Sequence, residues 1–406
     1  MWFMIEVGWA YSRARSRSSK PAWTKKEIGY PAISRVISSS HFNLPQIASI
    51  CASRSAAVNR CLLPPAARCF FSKSTNPPTP PKMQLLLCLL HLLTLLTLAH
   101  TTQQPPQQNH TSNWAVIVDT SRFWFNYRHA ANALSVYHAC KRFGIDDDHI
   151  ILMLAGDVHA CDSRNTFPGT VYNDHKRSVS LYDTSIQVDY RGLEVTVEAV
   201  IQVLTGRHPI GTPNSKRIRS DDGSNILFYM TGHGGEEFLK IQDTTEISTR
   251  DIQEALLEMN SKGRYNEMFF MADTCQASTL MTPLKVPRMV TIGSSKLGQS
   301  SYSYSNDYTL GVSLIDRFTF VMLNFFQKIT AHTDGTTRKT LHDLFTNFDS
   351  NFLRSNPEWS VKDDQSVTLA HGGKEEQNVL QHKPITDFFG SVTQVGISNS
   401  VGFQRR

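Results

Sequence analysis

The chain has 406 residues, 40% of them apolar, which is ample for a large core and for two or more domains. Its formal charge of +6 is unevenly placed: residues 1–82 hold twelve Lys/Arg and two acids (Glu6, Glu27), leaving 29 basic and 33 acidic residues for the rest. A mildly acidic main body without a basic–aromatic platform excludes nucleic acid as its partner.

Residues 1–82 are rich in Ser, Arg and Pro and carry no amphipathic period. The composition suits a transit peptide, and the lack of pattern suits a disordered basic extension, which is the reading kept. Cys51, Cys61 and Cys69 lie there without metal-site spacing. Residues 83–99 follow as Lys82-Met83 and a short Leu-rich run ending Thr97-Leu-Ala99. A basic residue, a short apolar run and small residues at −3 and −1 make a secretory signal peptide. Counted from Met1, the same run is internal and would act as an uncleaved anchor. The polar linker 100–112 holds Asn109-His-Thr, an N-glycosylation acceptor.

The folded part is expected from Asn113, with a catalytic domain over 113–330. Trp114–Val118 and Ile150–Leu154 are strands. Ala130–Phe143 is a helix, because Ala133, Val136, Tyr137, Cys140 and Phe143 recur at helical spacing and Gly144 can cap it. Cys140, on that apolar face, is an inert core thiol. Helices follow at Glu194–Leu204, near Thr249–Met259, and at Phe318–Ile329, and a further strand at Arg288–Gly293. Strands alternating with helices predict an α/β fold, a mostly parallel sheet covered on both faces. Residues 331–406 read as a partly irregular C-terminal region, with Pro384–Gly390 and Val392–Ile397 closing the fold. No apolar run there is long enough to span a bilayer.

Two apolar runs end in reactive side chains. Ile226-Leu-Phe-Tyr-Met stops at Thr231-Gly-His233-Gly-Gly, and Met268-Phe-Phe-Met-Ala stops at Asp273-Thr-Cys275-Gln-Ala. The carboxyl ends of parallel strands converge on one sheet edge, so His233 and Cys275 can meet there as proton carrier and nucleophile. A helix N-terminus or a nearby imidazolium would favour the thiolate. The N–H groups of Gly234 and Cys275 can form an oxyanion hole. The chemistry suggested is acyl transfer through a thioester, with no cofactor required. His129 is a rival to His233, but it opens a helix rather than ending a strand.

Three blocks then carry a resemblance: Tyr229-Met-Thr-Gly-His-Gly-Gly, Asp273-Thr-Cys-Gln-Ala and Thr120-Ser-Arg-Phe-Trp-Phe-Asn-Tyr-Arg-His129. They resemble the legumain-like cysteine peptidases, which share a caspase-like fold, and within them the catalytic subunits of glycosylphosphatidylinositol (GPI) transamidase. The resemblance runs from about Asn113 to Val392. It implies His233 and Cys275 as the catalytic pair, with Asn126 as the third, orienting group. It implies Cys161 in a disulfide to a partner subunit, and a structural calcium ion near Asp147, Gln187, the Val188 carbonyl and Asp189. Gln187 stands where that family has an acid. The loop 293–301 resembles a substrate-facing loop, so Ser294 and Ser295 are taken as a pocket wall. Implied substrates are proproteins with C-terminal GPI signals and the GPI lipid, on the luminal side of the endoplasmic reticulum membrane. The alternative is a legumain-type asparaginyl endopeptidase with water as acceptor.

Overall fold

The computed structural model describes residues 110–329 and 339–390. The basic extension, the signal run, the Asn109 acceptor and Val392–Ile397 lie outside the described residues.

The strand runs are apolar without alternation because both of their faces are covered. Four of them make a parallel centre: β1 (Ser112–Asp119), β2 (Ile150–Leu154), β4 (Ser224–Thr231) and β8 (Glu267–Asp273). β9 (Met289–Gly293) joins them in parallel beside β8. The two-residue β3 (Tyr190–Arg191) pairs in parallel at one edge, and β12 (Glu358–Lys362) pairs antiparallel with β9 at the other. The sheet order is β12-β9-β8-β4-β1-β2-β3. This is the expected α/β architecture, with one antiparallel edge strand added.

Alternate residues of each strand enter different cores. Ala115, Ile117, Leu227, Tyr229, Phe269 and Met271 pack on one face. They meet α1 (Tyr127–Arg142) and, after two intervening helices, α4 (Arg317–Gln327). Val116, Val118, Phe228, Met230, Phe270 and Ala272 pack on the other face. There they meet α2 (Val197–Thr205) and α3 (Thr249–Ser261). Stops and starts are local chemistry. Gly144 follows α1 at φ +99°, Thr196 caps α2, and Ser248 with Asp251 forms a capping box on α3.

Two small sheets are not foreseen from the sequence. β5 (Gly234–Gly235), β6 (Phe238–Ile241) and β7 (Thr245–Ser248) form a three-stranded antiparallel sheet directly after His233. β10 (Ser303–Asp307) and β11 (Val312–Asp316) form a hairpin that leads into α4. Residues 339–390, expected to be partly irregular, hold α5 (Leu341–Thr346), α6 (Ser350–Leu353), β12, α7 (Lys374–His382) and α8 (Thr386–Phe389). Their buried Leu341, Leu344, Phe345, Phe388 and Phe389 belong to the α1/α4 core. Among the described residues no helix is long and apolar enough to cross a membrane.

Candidate active site

Strand register builds the site. Asp119 pairs with Thr231, and Thr231 pairs with Asp273, so β1, β4 and β8 end in line. Two residues beyond those ends stand Ser121, His233 and Cys275. The ends are joined across: Thr120 N–H and Thr120 Oγ1 donate to the Thr231 carbonyl at 3.1 and 3.2 Å. Gly232 N–H points to the Asp273 carbonyl at 3.4 Å. Gly234 lies against the nucleophile turn. A Cβ on it would stand 2.5 Å from Thr274 Oγ1 and 3.3 Å from the Cys275 carbonyl. His233 and Cys275 are both half-buried, open enough to meet a substrate.

Asn126 completes the constellation. It is fully buried at the start of α1, makes no side-chain cap hydrogen bond, and sets its Oδ1 2.7 Å from His233 Nε2. An amide oxygen only accepts, so Nε2 carries the hydrogen and Nδ1 is left as the basic nitrogen. Burial first, and the Arg128 guanidinium second, lower the His233 pKa below the ordinary imidazole value. His129 is the second imidazole of the site. Its ring meets His233 edge-on at 5.0 Å, its Nδ1 bonds Ser121 Oγ at 2.9 Å, and its Nε2 lies 3.7 Å from Asp316. Burial holds it neutral, well below the usual range. It packs behind His233.

The nucleophile turn is braced from below. Asp273 accepts from Ser301 Oγ and Thr319 Oγ1, each at 2.7 Å. Burial, with Asp316 adding to it, pushes its carboxyl up to about 7. Ser294 and Ser295 are fully buried, and both hydroxyls donate to the Thr274 carbonyl, at 3.0 and 2.8 Å. They stand behind the turn, whereas a pocket wall would be open to solvent. Gln276 takes a left-handed φ of +54°, held by its N–H to the Gln299 carbonyl at 2.9 Å and its Oε1 to Gly298 N–H at 3.0 Å. Only the four-residue 3-10 turn Ala277–Leu280 follows, so no long helix points its N-terminus at Cys275. The His233 imidazole, its pKa lowered, stands as a neutral base for the thiol proton. Among the described residues nothing accepts the Cys275 N–H, which leaves it available to an oxyanion.

Other residues support the site, and of these Asn132 and Asp316 lie outside the three motif blocks. Asn132 donates to Asp316 Oδ2 at 2.6 Å and to Thr231 Oγ1 at 3.2 Å, and accepts from Asp316 N–H at 3.0 Å. Arg128 Nε donates to Asp316 Oδ1 at 3.0 Å. Asp316, the last residue of β11, thus gathers three side chains of α1. Its local sequence, Val312-Ser-Leu-Ile-Asp316, carries no signal of that role.

The remaining predicted residues lie elsewhere. Cys161 ends a 3-10 turn (Asp157–Cys161) as an exposed free thiol. Cys140 is fully buried and its thiol is pushed far up by burial. Of the calcium positions, Asp147 already accepts from Lys141 Nζ at 2.5 Å and from the Tyr137 hydroxyl. Asp189 accepts the Leu152 N–H at 2.9 Å and is pushed up to about 7 by burial. Gln187 is exposed. Among the described residues no three His, Cys, Asp or Glu side chains gather at metal-binding distance. The set still offers two carboxylates with the Gln187 amide and the Val188 carbonyl, oxygen donors of the type a hard cation takes.

The model of the peptidase C13 family matches residues 113–367. The GPI-anchor transamidase of Schizosaccharomyces pombe is 46% identical over 289 residues, 71% of this chain and 72% of that protein. That of Saccharomyces cerevisiae is 48% identical over 285 residues, 70% of this chain and 65% of that protein. That of Homo sapiens is 45% identical over 303 residues, 74% of this chain and 72% of that protein. Among solved structures, caspase-1 from Spodoptera frugiperda aligns with a TM-score of 0.36 at 12% identity, over 68% of this chain and 96% of that one.

Proposed function

The chain belongs to the peptidase C13 family, and from that premise we propose that it is the catalytic subunit of a GPI-anchor transamidase. The observation that carries this reading is the placement of His233 and Cys275 at paired strand ends, with Asn126 2.7 Å from the imidazole. The chain resembles enzymes of that name at 45–48% identity over 70–74% of its length.

The reaction runs as two acyl transfers. His233 takes the Cys275 proton as sulfur attacks the carbonyl at the ω residue of a proprotein. The Cys275 and Gly234 N–H groups receive the developing oxyanion. The C–N bond then breaks, His233 gives its proton to the departing amine, and the C-terminal signal leaves. The ω carbonyl is now a thioester on Cys275. The ethanolamine amine of the GPI lipid attacks it, loses a proton to His233, and the amide forms as the thiol is restored. Asn126 keeps the imidazole turned toward sulfur throughout. The chain's substrates carry small residues at the ω and ω+2 positions and an apolar tail. The setting is the luminal side of the endoplasmic reticulum membrane. The exposed Cys161 thiol joins the chain to a partner subunit of the complex in that oxidising compartment.

Cells that lack their own catalytic subunit test this. The chain restores GPI-anchored proteins at the cell surface, and its Cys275→Ala form does not. Equal rescue by both would end the cysteine mechanism. In the same cells a non-reducing gel shows a larger adduct of the chain that a Cys161→Ser form lacks.

A further inference from the structure

His159 is fully buried, and neither ring nitrogen has a hydrogen-bond partner among the described residues. An imidazole that bonds nothing acts on its neighbours through its faces. One face stacks on Tyr127, with centroids 6.2 Å apart and planes at 19°, and the ring meets Trp124 edge-on at 6.0 Å and 88°. Those two residues bracket Asn126. On another side the ring abuts the end of β1. A Cβ on Gly156 would stand 2.7 Å from His159 Nε2 and 2.9 Å from Asp119 Oδ2, so a side chain there would force the two apart.

The surroundings hold this ring firmly. Asp119 accepts Gly156 N–H at 2.8 Å and Ser121 N–H at 3.1 Å, which pins the start of the 157–161 turn to the catalytic edge. Asn165 Nδ2 holds the turn from outside, at the His159 and Ala160 carbonyls (3.0 and 3.2 Å). Tyr127 Oη accepts the Tyr172 N–H at 2.6 Å, and the Arg164 guanidinium lies 5.7 Å over the Trp124 ring. The charged groups facing His159 are Asp157, Asp162 and Arg164, with Asp119 beyond Gly156.

We propose that His159 is a positioning residue. Its ring is a wedge between the turn that carries Cys161 and the turn that carries Asn126, and it sets the angle at which Asn126 holds His233. This rests on His233 being the proton carrier for Cys275.

The test uses the full chain with its partner subunits and follows iodoacetamide alkylation of Cys275 by mass spectrometry from about pH 5 to about pH 9. His159→Ala removes the wedge and slows alkylation about 10- to 100-fold on the acidic limb, where a well-held imidazole matters most. His159→Phe keeps a ring in place and stays within roughly twofold of the parent. A His159→Ala profile that superimposes on the parent overturns the proposal. So does equal loss in both variants that tracks a lowered melting temperature, because that is a structural role alone. His233→Ala separates the two readings. If it leaves Cys275 reactivity unchanged, the catalytic pair itself fails. If it slows Cys275 while His159→Ala does not, only the wedge fails.

Discussion

At the scale of single residues the site depends on who holds whom. Cys275 and His233 are recognisable from their strand-end positions, but their competence depends on Asn126. That side chain is buried, and its only bond described is the 2.7 Å contact to His233. Asn126→Ala therefore leaves the ring free to turn, and kcat falls about 10- to 100-fold with KM nearly unchanged. Asn126→Asp gives a different signature. A carboxylate beside Nε2 favours the imidazolium, so the limb of the kcat/KM–pH profile governed by His233 moves to higher pH. A kcat unchanged in Asn126→Ala would reduce this residue to helix-start packing. Ser294 and Ser295 show the limit of reading at this scale. By resemblance they belong to a substrate-facing loop and are taken as a pocket wall. In the fold their hydroxyls are spent on the Thr274 carbonyl, because that buried acceptor needs donors.

At the scale of elements, what was legible follows from pattern strength. The four long central strands, β9 and helices α1 to α4 stand out because long apolar runs and a 3.6-residue period dominate them. β5 and β3 have two residues each, and β10 reads Ser-Tyr-Ser-Asn-Asp, so tertiary packing rather than local pattern makes them strands. Asp316 and Asn132 were illegible for a related reason: they lie 184 residues apart and their pairing exists only once β11 packs on α1. The β5–β6 hairpin is the element closest to the chemistry, and its two glycines are not equivalent. On Gly234 a Cβ would come within 2.9 Å of the Phe238 backbone carbonyl as well as 2.5 Å of Thr274 Oγ1. On Gly235 it would meet only the Phe238 ring, which can turn aside. Gly234→Ala thus spreads the ends of β4 and β8 and lowers kcat on the order of 100-fold. Gly235→Ala costs activity less than about fivefold, on the same displacement argument. Similar losses in both, measured by single-turnover acylation, would refute the distinction.

At the scale of the whole molecule, the C-terminal part is core and not appendage. The family model's match ends at residue 367, yet Phe388 and Phe389 beyond it are fully buried. Phe388 packs 5.5 Å from Phe269 of the nucleophile strand, and Phe389 packs 4.7 Å from Phe326 of α4. Asn113 Nδ2 donates to the Thr386 carbonyl at 2.9 Å, so the start of β1 is tied to the same segment. Nearer the site, Ser355 Oγ donates to the Ser294 carbonyl and Asn356 N–H to Gln299 Oε1, each at 2.8 Å. The segment therefore supports the nucleophile strand at its base and the nucleophile turn at its tip. Removing a buried phenylalanine side chain costs about 3–5 kcal/mol, and for a domain of this size that lowers the melting midpoint by roughly 10 °C. Phe388→Ala should show that drop by circular dichroism, with activity at low temperature largely kept, since the turn contacts of Ser355 and Asn356 remain. A midpoint within about 2 °C of the parent would instead mean that the sheet is stable without its closing segment.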